Sequence, residues 1–311
     1  MISASIAMRL LCRTIALSFV TLTADAQQHA EHAPGNAVTD SAGSGEFVAA
    51  ARAGTERYRD RNAAIAAGFR RLGRDFPSMG EHWAHPGKVI AGRFDVRDPA
   101  MLTYASIGGK PVLLGVVYAI PLEPGQNPPE IPGAGNPWHE HNGTVDEESF
   151  LPEHGGDHPQ SHTATRLAIL HVWTLLPNPA GPFGAENWSL PFARLHMEPP
   201  AIFPEAAART LSLASGSAAF YSNLLESALP SGDNAEWRTA LAEAAARAAA
   251  IVAERNTSLT LSPSELDALE KTWRVFVAAV AKQNAVVAGR LEGTAPTKSV
   301  PHHLSRSTNP H

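Results

Sequence analysis

Apolar positions change their spacing along this chain, and the changes divide it. Phe47, Ala50, Ala51, Tyr58, Ala63, Ile65, Ala66 and Phe69 recur loosely with little Gly or Pro between them. That predicts a helix over 45–73 with Gly73 as its stop. Residues 76–200 are dense in Pro and Gly, with short β-type runs between them. Leu102-Thr-Tyr-Ala-Ser-Ile107 reads as a strand, Gly108-Gly109 as a two-residue hairpin turn, and Val112 to Ile120 as the returning strand. Leu167 to Leu176 is almost continuously apolar, which predicts a central strand buried on both faces. Residues 201–292 turn Ala-rich and helical. Ser262-Pro-Ser-Glu265 has the form of a capping box with Pro at the first helical position. Leu266, Leu269, Trp273, Phe276, Val280, Val287 and Leu291 follow at helical spacing, and Trp237, Leu241, Ile251 and Val252 mark a preceding helix over 234–254. The pattern predicts an α+β protein: a mainly antiparallel β-rich core domain, an N-terminal helix, and a C-terminal antiparallel helical hairpin covering it.

The first residues speak to compartment. Arg9 and Arg13 flank the start of an apolar run, Thr14 to Leu22, and Ala24-Asp25-Ala26 follows as a small-x-small cleavage signal. Residues 1–26 thus read as a secretory signal peptide, with Gln27 as the mature start, because the run is too short to span about 30 Å of hydrocarbon. The expected location is periplasmic or secreted. No later segment is apolar and long enough to be an integral membrane segment. Cys12 is the only cysteine and lies in the signal peptide, so the mature chain has no disulfide and no thiolate chemistry. The signal peptide carries two Arg and one Asp, so its loss moves the formal charge from −5 to −6. That mild acidity excludes nucleic acid as a partner, which would ask for a basic stripe. The expected organisation is a disordered leader over 27–44, the helix and β-rich domain over 45–200, the helical region over 201–292, and a disordered tail over 293–311.

The candidate chemistry is histidine. His82 and His85, His139 and His141, and His171 fall within 90 residues of one another, out of 14 histidines in the chain. Imidazole is the commonest metal-ligating side chain, and without thiolates the ion must be held by nitrogen and oxygen. A divalent transition metal, zinc, copper or iron, is the expected cofactor. In a strand, residues two apart share a face, so His139 and His141 present two imidazoles side by side. His82 and His85 are three apart, as on one face of a helical turn, although Gly80 and Pro86 suggest a shaped loop. His171 shares a strand face with Ile169 and Trp173, where it is either a ligand or a core histidine bonded to backbone. Glu81, Glu140, Asp146 and Glu147 are nearby carboxylates able to complete a shell or act as a base on metal-bound water. His154, His158 and His162 lie in a Gly/Pro/Asp-rich loop and read as exposed. Catalytic residues are not assigned. A closed ligand shell would mean metal binding, and an open position beside Glu140 or Glu81 would mean a metal-dependent enzyme. A metal-free protein would instead use Trp83, Tyr118, Trp138 and Trp173 to line an aromatic pocket for a small molecule.

Two resemblances follow from these motifs. Gly133 with His139-x-His141, followed by Asp146 and Glu147, is similar to the first half of a cupin metal motif, which would imply an oxygenase; the second half is absent around His171. Residues 50–190 more fully resemble a family of secreted, largely uncharacterised bacterial proteins. The shared features are Met79-Gly-Glu-His-Trp-Ala-His-Pro86, Leu102-Thr-Tyr104, Leu113-Leu-Gly-Val-Val-Tyr118, Leu170-His-Val-Trp173, Asn178-Pro-Ala-Gly-Pro-Phe183 and Trp188. This resemblance implies an architecture and places His82 and His171 at site positions, with no reaction attached. The family usually has Asn where this chain has His85, and Trp138-His-Glu-His141 lies outside its pattern.

Overall fold

Asp60 ends the first helical stretch before the sequence pattern does. In the structure, a computed structural model describing residues 42–123, 125–141, 166–229, 236–255 and 260–293, α1 spans Ala42–Thr55 and continues as a 3-10 turn, Glu56–Arg59. Asp60 is extended, and its carboxylate accepts the Asn62 backbone N–H at 2.9 Å, which starts a new helix, α2 (Arg61–Ala66). The chain then turns at Gly68 (φ +103°) into β1, Arg70–Phe76. The predicted single helix over 45–73 is therefore corrected to two helices and a strand. Gly73, its expected stop, sits at φ +69° where the β1 register shifts. β1 was hidden because it is an edge strand, exposed from Arg70 to Arg74, with no apolar alternation to read.

Five further strands follow: β2 (Gly80–Ala84), β3 (Met101–Ile107), β4 (Lys110–Leu122), β5 (His139–His141) and β6 (Arg166–Val172), with α3 (Pro86–Ala91) between β2 and β3. They form one sheet in the order β1-β2-β3-β4-β6-β5, and every neighbouring pair is antiparallel. The predicted hairpin at Gly108-Gly109 is β3–β4, and the predicted apolar strand is β6, interior between β4 and the short β5. A jelly roll of the cupin type needs two packed sheets; the described strands make one.

The two faces differ. Leu102, Tyr104, Val116, Tyr118, Leu170 and Val172 pack against Phe47, Ala51 and Tyr58 from the N-terminal helical segment and against Phe69 from the turn before β1. Two tyrosines lock that layer: Tyr104 donates to the Tyr58 carbonyl at 2.5 Å and Tyr118 to the Val96 carbonyl at 2.7 Å. Burial holds both phenols above their ordinary range. The opposite face carries a smaller cluster of Ala100, Met101, Val117, Ala119 and Ile169.

The C-terminal part is helical: α4 (Leu190–Arg194), α5 (Glu205–Ser212), α6 (Ala218–Ala228), α7 (Glu236–Ala253), α8 (Pro263–Ala281) and α9 (Ala285–Leu291). A π-helical turn with Gly216 at φ +99° kinks the chain between α5 and α6. Trp237, Trp273, Phe276, Leu211 and Leu225 lie in one core. The predicted hairpin is α7 and α8. They run antiparallel, because Arg255 pairs with Glu265 at one end and Lys282 with Glu236 at the other. The capping box is present: Ser262 Oγ accepts the Glu265 N–H at 3.3 Å, and the Glu265 carboxylate accepts the Ser262 N–H at 2.7 Å. Asn284 caps α9 as a separate helix, accepting from Val286 and Val287. The helices meet the sheet through Arg194–Asp75 at 2.5 Å and through Phe220 on Phe76, ring centroids 5.4 Å apart.

Two outcomes follow. Arg255 and Ser262 hold the Glu265 carboxyl at about 2, below its usual 4.5. A lowered folded-state value adds stability above the ordinary carboxyl range and loses it as pH falls towards the folded value. Between pH about 4.5 and about 2, the urea midpoint of the native chain is expected to fall more steeply than that of Glu265→Gln. A Cβ added at Gly115 would lie 2.4 Å from the Val172 carbonyl oxygen. Gly115→Ala is therefore expected to cost about 1–3 kcal/mol in urea unfolding.

Candidate functional site

Side-chain alternation along β2 sends His82 and Ala84 to the face of Met101 and Ile169, and Glu81 and Trp83 to the other. On β6 the same rule places His171 with Ile169. On the edge strand β5, His139 pairs directly with Ile169. Three strands thus deliver His82, His171 and His139 to one face. On a flat sheet, β2 and β6 would lie three spacings apart, about 14 Å. The rings of His82 and His171 nevertheless have centroids 5.3 Å apart. Sheet twist and the reach of both side chains close that gap. What lies between makes it possible: His82 pairs with Thr103, and Thr103 pairs with Gly115. One small side chain and one missing side chain leave room above them. The His139 ring lies 5.5 Å from His171 on the other side.

His171 is therefore the middle of the group. It is 3% exposed and His82 is 7% exposed, while His139 is half-buried. Phe76 stands edge-on to His82 at 5.9 Å, with Phe220 of α6 behind it. Trp173 lies 6.1 Å from His171. Thr103, which the sequence pattern passed over, is 1% exposed, and its hydroxyl has no hydrogen-bond partner among the described residues. A threonine on the face opposite Leu102 and Tyr104 was the available signal.

The spacing can be compared with ligation. A ring nitrogen about 2.0–2.1 Å from an ion puts the ring centroid about 3.2 Å away, and a tetrahedral angle then separates two centroids by about 5.2 Å. The observed 5.3 and 5.5 Å suit a pair on each side of His171. Among the described residues, no three His, Cys, Asp or Glu converge as a formed ion site. A shared ion would require the rings to turn in place.

The other predicted ligands are placed differently. His85 does not join the group. It lies one residue beyond β2, an odd step from His82, on the side of Phe69, whose ring it meets edge-on at 5.5 Å. Its Nδ1 accepts the Lys88 N–H at 3.3 Å and caps α3. The helical-turn spacing expected for His82 and His85 is thus corrected to strand geometry, which separates them. His141 closes β5, its backbone opposite Leu167, and Glu140 pairs by backbone with Ala168. Asp146, Glu147, His154, His158 and His162 lie outside the described residues, as do the signal segment, nearly all of the tail and all of the 27–44 leader except 42–44, which begin α1. Glu81 is on the far face, bonded by Trp83 at 3.1 Å and paired with Arg71 at 3.2 Å and Arg61 at 3.7 Å.

The four aromatics proposed for a pocket have bonded polar tips. Besides Trp83 and Tyr118, Trp138 donates to the Pro129 carbonyl at 2.8 Å and Trp173 to the Gly184 carbonyl at 2.6 Å. Tyr118 and Trp138 belong to the core behind the histidine face. No helix among the described residues is long and apolar enough to cross a membrane. No family model, no curated protein and no solved structure matches this chain.

Because a buried hydroxyl without a partner costs about 1–3 kcal/mol, Thr103→Val is expected to raise the melting temperature. A fall would show that the hydroxyl is bonded to something held on this face.

Proposed function

We propose that this protein binds a divalent transition metal, zinc, copper or iron, with His171 as the central ligand and His82 and His139 beside it. The observation that carries the reading is the pair of centroid spacings about His171, drawn from three strands on one buried face. His141, next but one to His139 in the sequence, is the candidate to complete the set. Nitrogen ligands without thiolates suit zinc, copper(II) or iron(II). The signal peptide read from the sequence supports a periplasmic or secreted setting, and the family resemblance points to His82 and His171. Bound there, the ion would link β2, β5 and β6 across the open floor above Thr103 and Gly115. An enzymatic role is less supported than binding, because Glu81 is committed to Arg61 and Arg71 on the far face.

The test is elemental analysis of the purified, tag-free mature protein beside His82→Ala/His171→Ala and Glu81→Gln. Near-stoichiometric metal is expected in the native chain and in Glu81→Gln, and its loss in the double variant, with circular dichroism showing that all three are folded. Because ligation takes neutral imidazole, uptake is expected to weaken in acid. A native chain that holds no metal and takes up neither zinc nor copper would overturn the reading, as would a folded double variant that retains the ion.

A further inference from the structure

On the other side of Trp173 lies a cleft of about 380 Å³ between α1 and the segment that follows β6. Val48, Ala49, Pro177 and Pro182 give it apolar walls. Two polar side chains that line it are uncommitted. Thr174 is 6% exposed, and its hydroxyl has no hydrogen-bond partner among the described residues. Arg52 is exposed and forms no ion pair among the described residues. The cleft's amide, Asn178, is already used: it donates to the Glu186 carbonyl at 2.7 Å and accepts from the Ala180 N–H at 3.1 Å.

We infer that this cleft is a binding site for a small organic carboxylate with an apolar body. A guanidinium recognises a carboxylate through paired N–H donors. Apolar walls take the hydrocarbon, and the buried Thr174 hydroxyl gains the bond it lacks. The volume lies within the range of small-molecule sites. A neutral or cationic ligand of the same shape would leave Arg52 unanswered. Gly45 also lines the cleft, and a Cβ added there meets nothing within 4 Å. A larger side chain at Gly45 can therefore fill the space without a backbone clash, and replacing a helical glycine removes its conformational cost. The site is independent of the histidines.

The test uses hexanoate as the probe, with hexanol and hexylamine as shape-matched controls, in calorimetric titration of the full mature chain and its variants. Hexanoate is expected to bind saturably with Kd about 1 mM, and the two controls at least tenfold more weakly. Arg52→Glu is expected to weaken hexanoate at least tenfold. Thr174→Val is expected to weaken it severalfold, and Gly45→Leu to abolish binding while the melting temperature holds or rises. Equal binding of hexanoate and hexanol would overturn the inference. So would hexanoate binding that survives both Arg52→Glu and Gly45→Leu, or no binding of hexanoate to the folded native chain.

Discussion

Successive side chains on a strand point to opposite sides of its sheet, and the two layers built on this sheet depend on that alternation. Along β2 it parts His82 from Glu81 and Trp83. At the start of β5 it parts Trp138, in the core, from His139, beside His171. One face then carries the larger apolar core, with Phe47 and Tyr58 from the N-terminal helical segment and Phe69 from the turn before β1 filling it. The other face takes the histidines. A register slip of one residue in β2 would bury Glu81 and Trp83 where His82 stands. The turn into β2 is protected against this: Gly80 has φ +77°, and a Cβ there would lie 2.4 Å from the Tyr104 carbonyl oxygen.

Space is the second condition. Imidazoles from strands separated by two others in the sheet would not meet over large residues. Thr103 and Gly115 supply the low floor, and Gly115 also lets the β6 backbone come close at Val172. The same close approach makes that floor intolerant of a larger residue. Phe76 and Phe220 cover the His82 end, and His139 lies at the other end, on the edge strand β5. His82 and His171 are both largely buried on this face.

Much of this was legible in the sequence, and the failures have causes. The α8 start could be read because Ser262, Pro263 and Glu265 form a local signal that needs no tertiary contact. The β3–β4 hairpin was marked by Gly108-Gly109, and β6 by its unbroken apolar run. β1 was invisible because an exposed edge strand such as Arg70-Arg-Leu-Gly-Arg-Asp-Phe76 carries no apolar alternation. Missing β1 also hid β2, so His82 and His85 were given helical spacing, and an odd separation in a strand puts them on opposite faces. Which histidines meet depends on strand order, with β5 at the edge beside β6 and β2 brought across two intervening strands. Long-range pairing of that kind leaves no trace in local spacing.

The proposed metal site joins His82, His139 and His171 as one group and leaves His85 out. It is tested most directly by following the imidazole nitrogens in long-range ¹H–¹⁵N spectra while zinc is added to the metal-free mature protein. The ring nitrogens of His82, His139 and His171 are expected to shift together and to saturate at one equivalent, with His85 still accepting from Lys88 and unmoved. Zinc that leaves the His82 and His171 signals in place, or that moves only exposed histidines, would contradict it.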